Sequence, residues 1–353
     1  MDEHGGRGQL RWRLDEQEEA ERLFPEAALG ERHVGTGEYS GMEFLHVHAR
    51  TIVNKVPASS RMPFSYTINA YRGCSHACTY CFARPTHTYL GLGIGEDFER
   101  KIVVKVNAVE RLRAELRSPR WKGDPIAMGT NTDPYQKAEG KYHLTQGIVK
   151  VLAEVGNPFS ILTKSTLVLR DLDLLADAAT RTRVRIGLSI GTLERDVWQL
   201  TEPGTPPPDK RLGAVRRLSE AGIRCSVLIA PILPGLSDSD DQLREVAQAC
   251  LEAGAVSVTP VALHLRPGVR EHYLGWLARA RPELVGLYEQ RFRKGSYQPR
   301  AEQHRISEVV RAVEESAGRG SWKRSNTGHR PSGHAPEMPA ARVRPANEQL
   351  RLL

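Results

Sequence analysis

Tyr71-Arg72-Gly73-Cys74-Ser75-His76-Ala77-Cys78-Thr79-Tyr80-Cys81-Phe82-Ala83-Arg84 sets three thiols in a Cys-x3-Cys-x2-Cys pattern. Three cysteines within eight residues are not a hydrophobic core. A reducing compartment keeps them as thiols, so metal or cluster binding is their natural use. A closed structural zinc site takes four ligands, and the nearby candidates for a fourth are His76 and His87. A four-iron cluster also normally takes four thiolates, so three leave one iron with an open position. Open positions on a metal are where substrates or further cofactors bind.

Outward from this loop the chain alternates short apolar strands with amphipathic helices. A strand over 64–71 delivers the chain to the cysteines. Helices over 106–117, 144–155, 172–181, 210–221 and 239–253 each precede a strand, over 125–129, 159–163, 184–190, 223–232 and 256–263. Gly156, Gly222 and Gly254 stand where three of those helices should stop. The count is six β/α units, and parallel strands with helical crossovers are the economical way to connect them. The expected fold is α/β, a partial (β/α)6 TIM-like barrel, with a doubly wound open sheet as the alternative. In either, polar groups at the C-terminal ends of strands are site candidates by position.

The domain reading places an N-terminal extension at 1–59, the barrel at 60–295, a C-terminal helix at 296–317 and a disordered basic tail at 318–353. Within the extension, 15–23 has a short helical pattern and 44–53 alternates as a strand. That strand puts His46 and His48 on one face, read as polar-face residues rather than a metal pair. Further helices are expected over 272–280, 282–291 and 301–316. Cys225 opens a strand and Cys250 lies in a helical apolar stripe, so both read as core.

The net charge of +8 invites a nucleic-acid reading, but residues 319–353 hold seven basic and two acidic side chains. The body is then near neutral, which argues weakly for a phosphate-binding face. No run of eighteen apolar residues exists to span a membrane, and the first residues lack the basic-then-apolar form of a secretory signal. Cytoplasm is the expected compartment, and no membrane partner is expected.

With Tyr80 just before Cys81, the motif resembles the radical S-adenosylmethionine signature. The run on to Arg84-Pro85-Thr86-His87, with Gly129-Thr130-Asn131-Thr132-Asp133-Pro134-Tyr135, is similar to the branch of spore photoproduct lyase, the DNA-repair-photolyase-like proteins. The resemblance implies a [4Fe-4S] cluster on Cys74, Cys78 and Cys81. Its open iron would be chelated by S-adenosylmethionine, which an electron cleaves to methionine and a 5'-deoxyadenosyl radical. It also implies an external electron donor, flavodoxin- or ferredoxin-like.

By the same resemblance the S-adenosylmethionine contacts include Tyr80, with Asn131 and Asp133 for the amino group, and Ser189, with Glu194 near it, for the ribose. By position at strand ends, Lys164 is read as a counter-charge for the methionine carboxylate or for substrate, and Ile232, in a Pro-x-x-Pro-Gly ending, as an adenine neighbour or part of a rigid turn. His264 and Arg266 end the sixth strand, where a substrate contact and an ordinary surface histidine are both open. Two departures stand out. The second strand lacks the glycine-glycine-glutamate form of many members. No cysteine lies between Cys81 and Cys225 to match the hydrogen-donor thiol of spore photoproduct lyase. The substrate stays open among nucleic acid, peptide and small molecule. The alternative class is a non-catalytic protein holding a cluster or zinc, for electron transfer or nucleic-acid binding.

Overall fold

The computed structural model describes residues 29–318 except 58, 59 and 61. The helical patch at 15–23 and the basic tail from 319 onward lie outside the described residues. The strands in chain order are β1 (Leu29–Val34), β2 (Glu43–Val47), β3 (Val53–Lys55), β4 (Tyr66–Ile68), β5 (Tyr71–Arg72), β6 (Lys101–Lys105), β7 (Ile126–Met128), β8 (Phe159–Thr163), β9 (Val184–Ser189), β10 (Cys225–Ile232) and β11 (Val258–Ala262).

Seven of them form one sheet in the order β11-β10-β9-β8-β7-β4-β3. From β4 through β11 the neighbours are parallel, and β3 runs antiparallel at the edge of β4. Each new parallel strand joins on the same side as the last. A doubly wound sheet reverses its order at a switch point, and this one does not, so the architecture is the partial barrel with six parallel strands. The strands are short apolar runs because helices cover one face and the barrel interior the other. Ile68, Met128, Ile161, Ile186, Val227 and Val258 meet in one core with Ile148, Leu175, Leu218 and Val246 from the helices. Gly156, Gly222 and Gly254 all adopt positive φ at helix ends, as the sequence reading expects.

A second sheet, ordered β1-β2-β6-β5, was not expected as a unit. Its centre is β6, Lys101-Ile102-Val103-Val104-Lys105, which the sequence reading gave to no element. Three β-branched residues between lysines are a strand signal, and four of the five residues are buried. The expected strand over 64–71 splits accordingly. Tyr66–Ile68 stays in the large sheet, while Tyr71–Arg72 turns out to pair antiparallel with β6.

The expected strand over 44–53 also ends early, at Val47. The crossing between the sheets is pinned by side chains: Asn107 bonds both the N–H and the carbonyl of Ala49, and Glu115 accepts from the amides of Ile52 and Val53. Residues 29–34, read as loose extension, form β1 because Glu43–Val47 offers them an antiparallel partner. The helix Arg300–Ser316 buries Ile306 and Val310 in the main core. No helix among the described residues is long and apolar enough to cross a membrane.

Candidate functional site

The cysteine loop leaves β5 through Gly73, at φ +81°, and is held from all sides by polar bonds to its backbone. Cys74 N donates to Phe98 O (2.9 Å), and the Gly73 carbonyl accepts from Thr132 Oγ1 (2.6 Å) and Gln136 Nε2 (2.9 Å). Gln136 Oε1 accepts from Ser75 N (3.0 Å). Arg84 is fully buried and gathers the carbonyls of Cys78 (2.9 and 3.0 Å), Ala77 (3.2 Å) and Ile94 (2.9 Å), with Glu99 as its counter-ion (2.6 Å). This clamp holds Ala77 at φ +53°, a left-handed conformation that costs roughly 1–2 kcal/mol for a residue with a Cβ. Gly204 completes the loop's cover: a Cβ there would stand 2.2 Å from Ser75 O, so only glycine lets segment 203–205 lie against it.

The thiols themselves carry none of this scaffolding. Cys74 and Cys78 are buried and Cys81 half-buried. Burial pushes all three thiols up, Cys78 to about 12. Asp133 and the other two thiols add to the rise at Cys74, and Glu202 adds to it at Cys78. The thiols are thus close enough to oppose one another's ionisation, and they become thiolates only when a cation takes their protons' place. Among the described residues no three of His, Cys, Asp and Glu converge as a single metal ion requires. His76 Nδ1 faces Asp133 Oδ2 at 3.3 Å, and His87 Nε2 lies 3.0 Å from Lys101 O while its Nδ1 is buried without a hydrogen-bond partner. Three free thiols on one pre-set loop fit a four-iron cluster, whose thiolates bind separate irons, with one iron unliganded by protein.

Facing the loop at the strand ends is a buried charge network. Lys164, just past β8, points its Nζ at Ser189 Oγ (2.8 Å) at the end of β9, at Ala230 O (3.0 Å) in β10, and at Glu202 Oε1 (2.8 Å). Glu202 also accepts from the Tyr80 hydroxyl and from Arg211 (2.5 Å), itself buried on the helix Pro208–Glu220. Burial pushes Glu202 up, but Arg211 and Lys164 outweigh it and hold the carboxyl at about 2. Burial and Glu202 raise the Tyr80 phenol well above its ordinary value, so it stays a donor. The Lys164 ammonium lies 5.6 Å from the Tyr80 ring centroid and keeps 15% of its side chain exposed.

The expected site residues fall into two groups. Tyr80, Lys164 and Ser189 meet in this network, and Ile232 is buried at the end of neighbouring β10. Asp133 has all its lone pairs engaged within the protein. It accepts from Thr163 Oγ1 (2.6 Å), Tyr135 N (2.9 Å) and Lys164 N (2.7 Å), besides facing His76. It therefore fixes the backbone that carries Lys164. Asn131 is half-buried, with its N–H on Asn69 Oδ1 (3.3 Å). Gly129, just past β7, serves the sheet: at φ +88° a Cβ there would stand 1.9 Å from Leu162 O on β8. Glu194 is exposed, before the helix Arg195–Thr201.

His46 bonds the Tyr142 hydroxyl (2.8 Å), the polar-face role read for it. Cys225 and Cys250 are core. Glu202, Arg211, Arg84 and Gln136 were missed. Glu202 sits in a Thr-Glu-Pro-Gly run that reads as a turn, and Arg211 in a helix that reads as charged surface.

Comparison with known proteins agrees with this geometry. Residues 68–247 match the model of the radical SAM superfamily. The chain is 46% identical over 279 residues to an uncharacterized protein, Rv2578c, of Mycobacterium tuberculosis, covering 79% of this chain and 82% of that one. It is 34% identical over 201 residues to an uncharacterized protein, MJ0683, of Methanocaldococcus jannaschii, covering 56% and 71%. Among solved structures it resembles a spore photoproduct lyase mutant with bound AdoMet and dinucleoside spore photoproduct, at a TM-score of 0.54 and 20% identity over 77% of this chain and 79% of that one. The last likeness concerns the fold. The chain belongs to the radical SAM superfamily, enzymes whose cofactors are a [4Fe-4S] cluster and S-adenosylmethionine.

Proposed function

We propose that this radical SAM enzyme holds its [4Fe-4S] cluster on Cys74, Cys78 and Cys81 and reductively cleaves S-adenosylmethionine at the adjoining strand ends. The observation that carries the reading is the pairing of three free thiols, two of them buried and one half-buried, with a partly exposed ammonium, Lys164, held at the same end of the barrel. When bound, the reduced cluster supplies the electron that splits the sulfonium into methionine and a 5'-deoxyadenosyl radical.

The chain's residues bind, orient and exclude water. Lys164 offers the cation for the methionine carboxylate, which would take the place of one of its three present acceptors, Ser189 Oγ, Ala230 O or Glu202 Oε1, and Asn131 its side-chain amide for the amino group. Asp133 acts from behind by fixing the Lys164 backbone. Ser189 lies where a ribose hydroxyl is expected, with Ile232 as an apolar neighbour for adenine and Tyr80 bordering the cofactor with its ring. Arg84 and Gln136 hold the loop so that the thiols are presented together before the cluster arrives. The thiols need a reducing compartment, the cytoplasm, and the electron comes from a flavodoxin- or ferredoxin-like donor.

Photoproduct repair is not carried over from spore photoproduct lyase, because no cysteine stands between Cys81 and Cys225. The test is anaerobic reconstitution with iron and sulfide, followed by dithionite and S-adenosylmethionine. A brown protein that releases 5'-deoxyadenosine and methionine is expected. A colourless zinc protein would overturn the reading, and a brown one that never releases 5'-deoxyadenosine would make it an electron carrier.

A further inference from the structure

Phe82, the residue after Cys81, is 48% exposed, and Tyr297 is 59% exposed. Between them stands the His264 ring, 6.1 Å from Phe82 at an interplanar angle of 32° and 5.7 Å from Tyr297 at 22°. The ladder is built on backbone: His264, just past β11, pairs antiparallel with Tyr297, and Leu265 N donates to Ser296 O at 2.8 Å. Leu263 and Leu265, on either side of His264, are buried with Cys78 and Tyr80 in a second core, which ties the ribbon to the cysteine loop. Two large rings left open to water, Tyr297 on this ribbon and Phe82 on the loop it is tied to, are not needed by the fold, which gains by covering apolar surface.

The surroundings of the ladder are positive. Segments 263–268 and 292–300 contain Arg266, Arg293, Lys294 and Arg300, all exposed, and no Asp or Glu. The acids that flank them are committed elsewhere: Glu271 accepts from Gly268 N, and Glu302 pairs with Arg291 and Arg305. The near-neutral charge of the whole body conceals this local excess. Flat rings among unopposed cations are the chemistry that holds a single nucleic-acid strand, because every base has a face to stack and every linkage a phosphate.

We propose that Phe82, His264 and Tyr297, with Arg266, Arg293 and Lys294, form a binding site for single-stranded nucleic acid. As a substrate-holding surface it rests on the radical function proposed above, since Phe82 adjoins a cluster thiol and a strand seated on the ladder lies at the rim of that site.

Fluorescence anisotropy on the reconstituted full chain, without S-adenosylmethionine or reductant, tests it with labelled oligothymidylate, oligouridylate and a DNA duplex. Both single strands, or one of them, should bind more tightly than the duplex, and which one does names the source as DNA or RNA. Tyr297→Ala should weaken binding about tenfold while melting like the wild type, and Tyr297→Phe should retain it. Lys294→Ala should weaken it less and flatten the salt dependence by about 0.7 in log–log slope. Binding that ignores Tyr297→Ala, as attachment through the tail alone would give, overturns the proposal. So do tighter binding of duplex, displacement of the oligonucleotide by an oligoglutamate peptide, and no binding of either strand at low salt. Because the readout involves no turnover, loss of 5'-deoxyadenosine release would sink the radical function and leave this site standing, and the reverse holds equally.

Discussion

Two buried carboxylates in this molecule are dressed in the same side chains and do different things. Glu139 takes the Tyr71 hydroxyl (2.5 Å) and Arg170 (2.7 Å); Glu202 takes the Tyr80 hydroxyl and Arg211 (2.5 Å). Glu139 spends its remaining lone pairs on the amides of Thr145 (2.8 Å) and Gln146 (3.2 Å), the opening turn of the helix Leu144–Glu154. It is a helix cap supplied from outside the helix. Glu202 spends them on Lys164 and the Thr205 hydroxyl (3.3 Å). Beside Glu139 the second charged neighbour is an acid, Asp171, so one arginine serves two carboxylates; beside Glu202 it is a lysine, so one carboxylate serves two cations. The first cluster is closed and structural. The second leaves surplus positive charge facing the loop that carries three thiols, where, under the function proposed above, an anionic cluster and a carboxylate would be received.

The largest effect that probes this contrast lies on the loop itself. Cys78→Ala should abolish the brown cluster absorption and the release of 5'-deoxyadenosine together, because a cluster already short of its fourth thiolate cannot spare a third. Retained colour and cleavage would break the assignment of Cys78, and with it the meaning given to the positive surplus. Next come the carboxylates. Glu202→Ala strands two buried cations, and about 3–5 kcal/mol of stability should go with it; Glu139→Ala uncaps a helix but leaves Arg170 paired with Asp171, so it should cost less. The two should separate in activity. Glu139→Ala should release 5'-deoxyadenosine at the wild-type rate per folded molecule. Lys164→Met should keep its cluster but raise the KM for S-adenosylmethionine about tenfold or more, as loss of a charged contact does. Equal effects from the two variants would erase the distinction.

How far the sequence announces these parts follows from the range of the forces involved. The six strands of the barrel and the three thiols are local signals, a run of apolar residues or a spacing, and both could be read directly. β6 carries an equally local signal in Ile102-Val103-Val104, but it is a five-residue strand wedged between the helices Glu96–Arg100 and Ala108–Leu116. The extent of β4 and β5 was not readable, because the break between them exists only to give Tyr71–Arg72 to β6. Lys164, Ser189 and Tyr80 were each singled out alone. What joins them is Glu202, whose place in a Glu-Pro-Gly turn says nothing of burial. Arg84 and Arg211 show the same blind spot, since an arginine in sequence reads as surface and only tertiary contacts reveal it inside.

Acid should sharpen the comparison further. Glu202 titrates near 2 in the folded chain against an ordinary 4.5, so it binds its proton more weakly folded than unfolded. Its stabilisation, about 3 kcal/mol by that difference, is complete above pH 4.5 and is lost as the pH falls toward 2. The stability gap between wild type and Glu202→Gln, measured by urea unfolding, should therefore be wide at pH 6 and shrink through that window. A gap that stays constant on acidification would mean that Arg211 and Lys164 do not hold the carboxylate ionised.

The smallest expected effects come from the paired tyrosines, which differ from phenylalanine by one donor each. Tyr71→Phe and Tyr80→Phe both remove a hydroxyl that donates to a buried carboxylate, and each should cost about 1.5–3 kcal/mol, the range for a hydrogen bond to a charged group. Stability alone therefore does not distinguish them. The Tyr80 ring, however, stands 5.6 Å from the Lys164 ammonium, and without its hydroxyl Glu202 is drawn more fully onto Lys164. Tyr80→Phe should then raise the KM for S-adenosylmethionine by a few-fold while Tyr71→Phe leaves it where it was, and combining Tyr80→Phe with Lys164→Met should add nothing to the lysine's own effect on KM. Additive effects would mean that the two residues act on the cofactor independently, and that the network around Glu202 is no more than a second piece of scaffold.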